Sequence, residues 1–323
     1  MNIARDIQLQ INAIQRPQEI TADLLDRFIK FADASPATMR TYSSCLKDFA
    51  RYLNTRGITM PDRDTVIEYR EDLKTRCQPA TVQLRLVTVR LFFQWTAATG
   101  IYPDIAQRVK GPKISRGHKK DALDLDQLKQ ILAGTDQNTA QGRRDRAILL
   151  LMMTGGLRDV EIHRADIEDL RTHNGTPVLY LQGKGRDDKA DFIKIVPEVS
   201  TALQTYLKER PDHPVSGPLF VSMSNNSSGR RLSTRSVSGI VKHYMRRAGY
   251  DSERLTAHSL RHSAVTASLK GGATLQQVRQ FARHADISTT LIYAHDLERE
   301  KNPCEEIIAG GLFDKDRKEE SAT

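Results

Sequence analysis

The amino-acid sequence predicts a mainly α-helical protein of two domains, with strands in the second domain only. The chain has 323 residues, which exceeds the usual size of a single domain. Apolar residues recur at intervals of three and four along most of it, as on the buried faces of α-helices. Two β-like runs, at 178–181 and 192–196, flank a turn rich in glycine and aspartate, which predicts a small antiparallel sheet.

Composition and charge indicate a soluble protein with a polyanionic partner. The apolar fraction is 39%, the charged fraction is 28% and the formal net charge is +9, which favours nucleic acid as the partner. No apolar run approaches the ~20 residues that a membrane-spanning helix needs. Three widely spaced cysteines predict neither a disulfide framework nor a zinc site. We therefore expect a cytoplasmic protein that does not bind membranes.

The first domain is predicted to be a helical bundle over residues 21–107, after an N-terminal extension of residues 1–20. Apolar residues recur at helical spacing after Thr21, and Ser35 is a typical N-cap residue before the next helix. Two further helices are predicted, one from Asp64 and one over 79–98. Basic residues lie between the apolar positions, either as solvated side chains or as a surface that follows DNA phosphates. The DNA-binding candidates in this domain are Arg40, Lys47, Arg85 and Arg90.

Residues 108–121 are predicted to be a basic linker between the domains. Gly111, Pro112 and Gly117 disfavour regular structure there. The segment is rich in cations and carries no acidic residue before Asp121, so we expect it to lie along DNA. Its DNA-binding candidates are Lys110, Lys113, Arg116, Lys119 and Lys120.

The second domain is predicted over residues 122–300. Its first helix is capped by Asp124 or Asp126, and a strongly apolar helix over 144–153 ends at Thr154-Gly155-Gly156. Further helices are predicted over 200–208, over 234–248 and on to about 299. The tail, residues 301–323, contains a few apolar residues that pack either on their own domain or on a neighbouring subunit.

Four short motifs carry the residues that suggest chemistry. A tyrosine beside apolar residues is by itself typical of a packing group. Here, however, arginine, lysine and histidine residues suited to binding a phosphate precede it in the chain. In order, the motifs are T-G-G-L-R-D-V-E with Arg158 and Glu161, G-K-G with Lys184, H-S-L-R-H-S with His258 and Arg261, and R-H-A-D-I-S-T-T-L-I-Y-A-H with His284 and Tyr293.

Together these motifs resemble those of the tyrosine recombinase family, also called lambda-type or phage integrases, and especially its Xer-like members of two domains. The resemblance covers nearly the whole chain. Residues 38–109 resemble the SAM-like core-binding domain of the family, and residues 122–299 resemble its catalytic domain. Each motif alone occurs often by chance, whereas their order and spacing are specific.

The resemblance implies a site-specific recombinase that cleaves and rejoins double-stranded DNA through a 3′-phosphotyrosine and a Holliday junction. It implies a homotetramer on synapsed DNA, a monomer or weak oligomer when free, association with the nucleoid, and no metal or other cofactor. Tyr293 is then the nucleophile, and Arg158, Arg261 and His284 bind the phosphate. Lys184 protonates the leaving oxygen, His258 relays the tyrosine proton, and Glu161 supports the site.

Some residue assignments have alternatives. Lys189 and Lys194 compete with Lys184 as the proton donor. His258 and His262 have a spacing that zinc sites use, but the sequence offers no third ligand. Two positions depart from the family pattern: Gly155-Gly156 stands where one glycine is usual, and Ala282-Arg283 stands where Leu-Gly is usual. We therefore add Arg283 to the DNA-binding candidates, the alternative being an arginine that faces solvent.

The biological role also has alternatives. The departures before His284 favour the integrase or excisionase of a mobile element. A Xer-like enzyme that resolves chromosome or plasmid dimers is the second interpretation. A DNA-binding regulator that does not cleave, and a type IB topoisomerase, are less compatible with the complete set of motifs and with the Xer-like first domain.

Overall fold

The chain divides into two units, Met1–Ser115 and Arg116–Thr323. The structure is a computed structural model that describes residues 19–114, 121–183, 188–210, 215–224, 228–300, 302–310 and 312, without the side chains of 295–300. The described elements are helices and one small antiparallel sheet, which confirms the predicted fold class. The residue bounds that we predicted for the domains, the linker and the tail stay predictions.

Four helices form the described part of the first unit. Thr21 and Ser35 each accept a backbone N–H of the first turn that follows, so both are N-caps, as predicted for Ser35. Proline begins the second and fourth helices, where its missing N–H costs nothing. In chain order the helices are α1 (Ala22–Phe31), α2 (Pro36–Thr55), α3 (Arg63–Arg76) and α4 (Pro79–Ala98).

An aromatic cluster with one buried carboxylate holds this unit together. The Phe49 ring meets the rings of Tyr69 and Phe93 edge to face, at centroid distances of 4.9 and 6.0 Å. The Tyr69 hydroxyl donates to Asp48 Oδ2 at 2.9 Å, which satisfies a buried polar group from the neighbouring helix.

Hydrogen bonds within this unit explain why its basic residues differ in exposure. Arg85 Nη1 donates to Asp48 Oδ2 at 2.6 Å, and Arg90 donates to the carbonyl of Val109. Both guanidinium groups are thus engaged within the unit, unlike the outward DNA contacts that we predicted. The exposed candidates are Arg40, Lys47, Lys110 and Lys113. Arg116, Lys119 and Lys120 lie outside the described residues.

The second unit begins with helices that position the turn before Arg158. Asp124, one of the two predicted caps, accepts the N–H of Gln127 at 2.8 Å. The apolar helix starts earlier than predicted because Thr139 caps it, and it ends where Gly156 adopts the left-handed conformation, φ 58°. The helices before the sheet are α5 (Leu125–Ala133), α6 (Ala140–Gly155) and α7 (Asp159–Arg164).

The sheet has three antiparallel strands in the order β1-β2-β3, one more than predicted. These strands are β1 (Leu170–His173), β2 (Thr176–Leu181) and β3 (Asp191–Lys194). The missed strand has one apolar residue, Leu170, which pairs with Leu179, and its other residues are exposed. Such a strand shows no alternation of apolar and polar residues.

The remaining helices of the second unit follow the sheet, and three of them pack against α6. Ile148, Leu149, Leu151 and Met152 are fully buried, and α6 packs against the helices on both sides. A rigid α6 therefore fixes where the chain turns towards Arg158. These helices are α8 (Pro197–Lys208), α9 (Thr234–Arg247), α10 (Ala257–Lys270), α11 (Leu275–Ala282) and α12 (Ser288–Glu300).

Candidate active site

Arg158 and Glu161 form an ion pair at the start of α7. The backbone N–H and the guanidinium Nη1 of Arg158 both donate to the Glu161 carboxylate at 2.8 Å. Burial alone raises the pKa of Glu161, but the charge of Arg283, the N–H of Arg158 and the charge of Arg158 together bring it below its ordinary value. Glu161 is therefore an anion that orients Arg158.

Arg261 lies on α10 and connects two of the motifs. Its side chain is 1% exposed, Nη1 donates to the Gly156 carbonyl at 2.6 Å, and Nη2 donates to the Ala282 carbonyl. Burial, followed by the charges of Arg158 and Arg283, lowers the pKa of Arg261 to about 9. The group thus stays cationic near pH 7.

His284 follows α11 and is held from two sides. Its backbone N–H donates to the Arg279 carbonyl at 3.1 Å, and its ring Nδ1 shares a hydrogen bond of 2.9 Å with the hydroxyl of buried Thr290. Burial and then the charges of Arg261, Arg158 and Arg283 lower the pKa of His284 to about 4. His284 is therefore a neutral imidazole near pH 7.

The low pKa of His284 predicts a pH-dependent stability. Unfolded His284 takes up a proton below about pH 6.5, whereas the folded group does so only near 4. The unfolded chain thus binds more protons between these values, and the free energy of unfolding falls as the pH drops from about 6.5 to 4, by up to roughly 3 kcal/mol from this group.

Urea unfolding of the wild type and of His284→Gln at pH 7.5, 5.5 and 4.5 measures that contribution. The variant should lose less stability than the wild type over this range. His173→Gln, which removes an exposed histidine of the sheet, is the control and should follow the wild type. Parallel curves for the wild type and His284→Gln would show that His284 titrates normally.

Tyr293 lies on α12 and is buried, with 3% of its surface exposed. Its ring centroid is 4.7 Å from that of His262 and 6.2 Å from that of His284. The planes of the Tyr293 and His284 rings are only 20° apart. Burial raises the pKa of Tyr293, while the charges of Arg261 and Arg158 oppose the rise. The phenol is thus docked in the second unit, beside two of the motif cations.

The structure describes only some of the residues predicted to transfer protons. His258 is exposed in the first turn of α10, near enough to contribute to the lowered pKa of His284. Lys184 lies outside the described residues. Its rival Lys189 donates to Asp166 at 2.8 Å and to Asp169 at 2.5 Å, and these carboxylates raise its pKa despite partial burial. That environment opposes proton release from Lys189.

Several of these groups line one cavity of about 730 Å³. Its positive charge comes from arginines, and its size and sign suit a phosphodiester. Arg279, which donates to the His284 carbonyl at 3.4 Å, is a lining residue that sequence reasoning missed, because no motif marks it. The lining residues include Arg158, Gly183, Asp191, Arg279, Arg283 and His284.

Arg283 is where the structure corrects the sequence-based interpretation most. We predicted a cation that contacts DNA or faces solvent. Its side chain is instead 6% exposed, and Nη2 lies 3.0 Å from Glu161 Oε2. Arg158 and Arg283 thus hold one carboxylate between them.

The described residues show no grouped metal ligands and no membrane-spanning helix. Among the described residues, no three histidine, cysteine, aspartate or glutamate side chains are grouped as metal ligands would be. Within those ranges, every helix is too short or too polar to span a bilayer.

Comparison with known proteins gives two family matches. Residues 121–300 match the phage integrase family, and residues 23–100 match the N-terminal SAM-like domain of phage integrases. The chain is 31% identical over 289 residues to tyrosine recombinase XerD of Listeria innocua, which covers 84% of this chain and 94% of the relative.

Solved structures share the fold at lower identity. The XerH site-specific recombinase, in a post-cleavage complex with its palindromic difH substrate, matches with TM-score 0.71 and 22% identity over 88% of this chain and 85% of that one. A lambda integrase tetramer bound to a Holliday junction matches with TM-score 0.65 and 16% identity over 88% and 80%. The chain therefore belongs to the phage integrase family, the tyrosine recombinases, which are enzymes that cleave and rejoin DNA strands.

Proposed function

We propose that this recombinase acts on double-stranded DNA at specific sites, with Tyr293 as its nucleophile. The observation that carries the proposal is that the Tyr293 ring lies 6.2 Å from the His284 ring and near enough to Arg158 and Arg261 for both of their charges to act on the Tyr293 hydroxyl. These residues come from three separate parts of the second unit. Two guanidinium groups and an imidazole beside a phenol suit the attack of that phenol on a phosphodiester.

The reaction exchanges one phosphoester for another. The Tyr293 phenolate oxygen bonds to phosphorus, and the bond from phosphorus to the 5′ oxygen breaks. Arg158 and Arg261 stabilise the charge that gathers on the non-bridging oxygens. His284, neutral near pH 7, donates a further hydrogen bond. Attack by a 5′ hydroxyl on the phosphotyrosine reverses the step, so no external energy source is needed.

Proton transfer is assigned to His258 and Lys184. His258 accepts or relays the phenol proton, and its exposed position in the first turn of α10 suits that task. Lys184 protonates the leaving 5′ oxygen. The ion pairs of Lys189 with Asp166 and Asp169 support this choice, because a lysine held by two carboxylates is a poor acid.

Replacement of Lys184 with alanine is expected to slow cleavage of a nicked suicide substrate by about 10²- to 10⁴-fold. A substrate with sulfur in place of the leaving 5′ oxygen should restore the rate to near that of the wild type, because a thiolate leaves without protonation. Single-turnover rates on both substrates measure this. Lys208→Ala, which removes an exposed lysine at the end of α8, is the control.

Selective rescue assigns the proton donor. If sulfur fails to rescue Lys184→Ala but rescues Lys189→Ala or Lys194→Ala, the proton comes from that lysine instead. If Lys189→Ala lowers the cleavage rate equally on both substrates, Lys189 has a structural role, in agreement with its ion pairs to Asp166 and Asp169.

We further propose that four copies act together on two synapsed duplexes, with a monomer or weak oligomer in the absence of DNA. The likeness to the fold of the lambda integrase tetramer supports this assembly. The described tail residues Ile307 and Ile308 are 66% and 60% exposed, and they offer an apolar contact to a neighbouring protomer. The free protein is proposed to lie in the cytoplasm, associated with the nucleoid.

For the biological role, we propose the integration or excision of a mobile element. The departure at Ala282-Arg283, directly before His284, supports this interpretation. Resolution of chromosome or plasmid dimers is the second candidate, and likeness to a XerD relative over most of the chain favours it. Mapping covalent Tyr293 adducts on DNA from the source organism separates them: sites at the ends of an element support the first role, and one chromosomal or plasmid site supports the second.

A further inference from the structure

Arg283 has a backbone conformation that an arginine rarely adopts. Its φ of 53° and ψ of 46° place it in the left-handed region at the C-cap of α11. Glycine is the usual residue at such a cap, because the Cβ of any other residue crowds the backbone in this conformation. The chain tolerates this strain for a side chain that is almost completely buried. An outlier of this kind points to a specific use of the side chain.

The Arg283 guanidinium joins three parts of the site. Nη1 donates to the Phe281 carbonyl at 2.8 Å and lies 3.3 Å from the Gly155 carbonyl. Nη2 donates to the Gly156 carbonyl at 3.1 Å and to Glu161 Oε2 at 3.0 Å. The two departures from the family pattern, Gly155-Gly156 and Arg283, are therefore in direct contact.

The glycine pair cannot be replaced by larger residues without displacing neighbours. A Cβ on Gly155 lies 2.6 Å from Ile193 Cδ1 and 2.7 Å from Leu157 Cδ1, and a Cβ on Gly156 lies 3.1 Å from the Phe281 ring. Gly156 also has φ 58°. The two glycine carbonyls that Arg283 binds thus belong to a tightly packed turn, which leads directly into Arg158.

Glu161 transmits the effect of Arg283 to Arg158. The Glu161 side chain is fully buried, with Oε1 bound by Arg158 Nη1 at 2.8 Å and Oε2 bound by both the Arg158 backbone N–H and Arg283. A buried carboxylate with one cation alone draws that cation towards itself. Arg283 binds the other oxygen of the same carboxylate, so Arg158 is not the only cation that balances this buried charge.

We propose that Arg283 is a positioning residue for Arg158, rather than a DNA contact. It anchors the Gly155-Gly156 turn and takes up part of the charge of Glu161, so that the Arg158 guanidinium is directed into the cavity where the phosphate binds. This inference rests on the proposed role of Arg158 as a phosphate ligand.

The test compares two suicide substrates for Arg283→Met, Arg283→Lys and Arg158→Gln. One substrate has the natural scissile phosphate and the other a methylphosphonate, which carries no negative charge and depends less on arginine. Arg283→Met is expected to cleave the phosphate substrate about 10- to 100-fold more slowly than the wild type, as small displacements of a catalytic group do. On the methylphosphonate substrate, the cleavage rate of Arg283→Met should lie within a few fold of the wild-type rate.

Arg283→Lys should recover part of the rate on the phosphate substrate, because it keeps the charge beside Glu161 but cannot reach both glycine carbonyls. Arg246→Met removes an exposed arginine that pairs with Asp251, and it should show the wild-type ratio of the two rates. Circular dichroism and urea unfolding confirm that each variant is folded before its rates are compared.

Three outcomes overturn the proposal. An equal deficit of Arg283→Met on both substrates indicates a general structural role. A normal cleavage rate at saturating DNA, together with weaker binding and a lower salt dependence, indicates a phosphate contact. A normal rate with normal binding indicates no role. Arg158→Gln separately tests the proposed role of Arg158 as a phosphate ligand. If this variant loses the same factor in rate on both substrates, that role is rejected.

Discussion

Replacing Tyr293 with phenylalanine is expected to abolish covalent attachment to DNA while leaving DNA binding intact. The hydroxyl is the proposed nucleophile, so its removal leaves no group that can form the phosphotyrosine. The ring itself is buried beside His262, and phenylalanine fills the same space. The experiment incubates the variant with a nicked suicide substrate and separates protein–DNA adducts on a denaturing gel.

The matched control for this experiment is Tyr250→Phe. The Tyr250 hydroxyl donates to the exposed side chain of Gln130, outside the candidate site. This variant should form adducts at the wild-type rate. Adducts that persist in Tyr293→Phe place the nucleophile on another residue. Loss of DNA binding as well, in a folded variant, means that the hydroxyl contributes to recognition rather than to chemistry alone.

Arg158→Gln is expected to slow cleavage by about 10²- to 10³-fold at saturating DNA, the usual cost of removing one preorganised donor to a developing negative charge. The fold should tolerate this change, because the buried Glu161 carboxylate still has two partners. These are the Arg283 guanidinium at 3.0 Å and the backbone N–H of residue 158 at 2.8 Å. The measurement is the single-turnover rate of adduct formation, together with DNA affinity at the same salt concentration.

Arg158→Lys distinguishes charge from geometry in the same assay. Lysine keeps one positive charge but lacks the planar fork that binds two oxygens, so we expect it to recover only a small part of the rate. Complete recovery by lysine means that charge alone is required. A rate near that of the wild type in Arg158→Gln removes Arg158 from the list of phosphate ligands.

The helices were predictable from the sequence because their signals are local. Thr21, Ser35 and Asp124 each cap a helix through atoms only three residues away. The fourth helix, Pro79–Ala98, follows from a first-turn proline and apolar spacing. Strand β1 was missed because its pairing with β2, rather than any pattern of its own, makes it a strand.

The roles of individual charged residues were less predictable. Arg40 and Arg85 both lie between apolar positions of helices, yet Arg40 is exposed while Arg85 binds Asp48 from a different helix. Lys189 is likewise occupied by carboxylates that lie 20 and more positions away in the chain. No local pattern distinguishes an arginine or lysine in solvent from one with such a partner.

The sequence by itself determined the family, the fold class and the residue types of the candidate site, since motif order and helical periodicity are properties of the chain alone. Only the tertiary structure decided that Tyr293 is docked beside His262 and that Arg283 points inward to Glu161. The physical reason is that burial and ion pairing depend on which distant segments meet. The energy of a charge depends on those surroundings far more than on its neighbours in sequence.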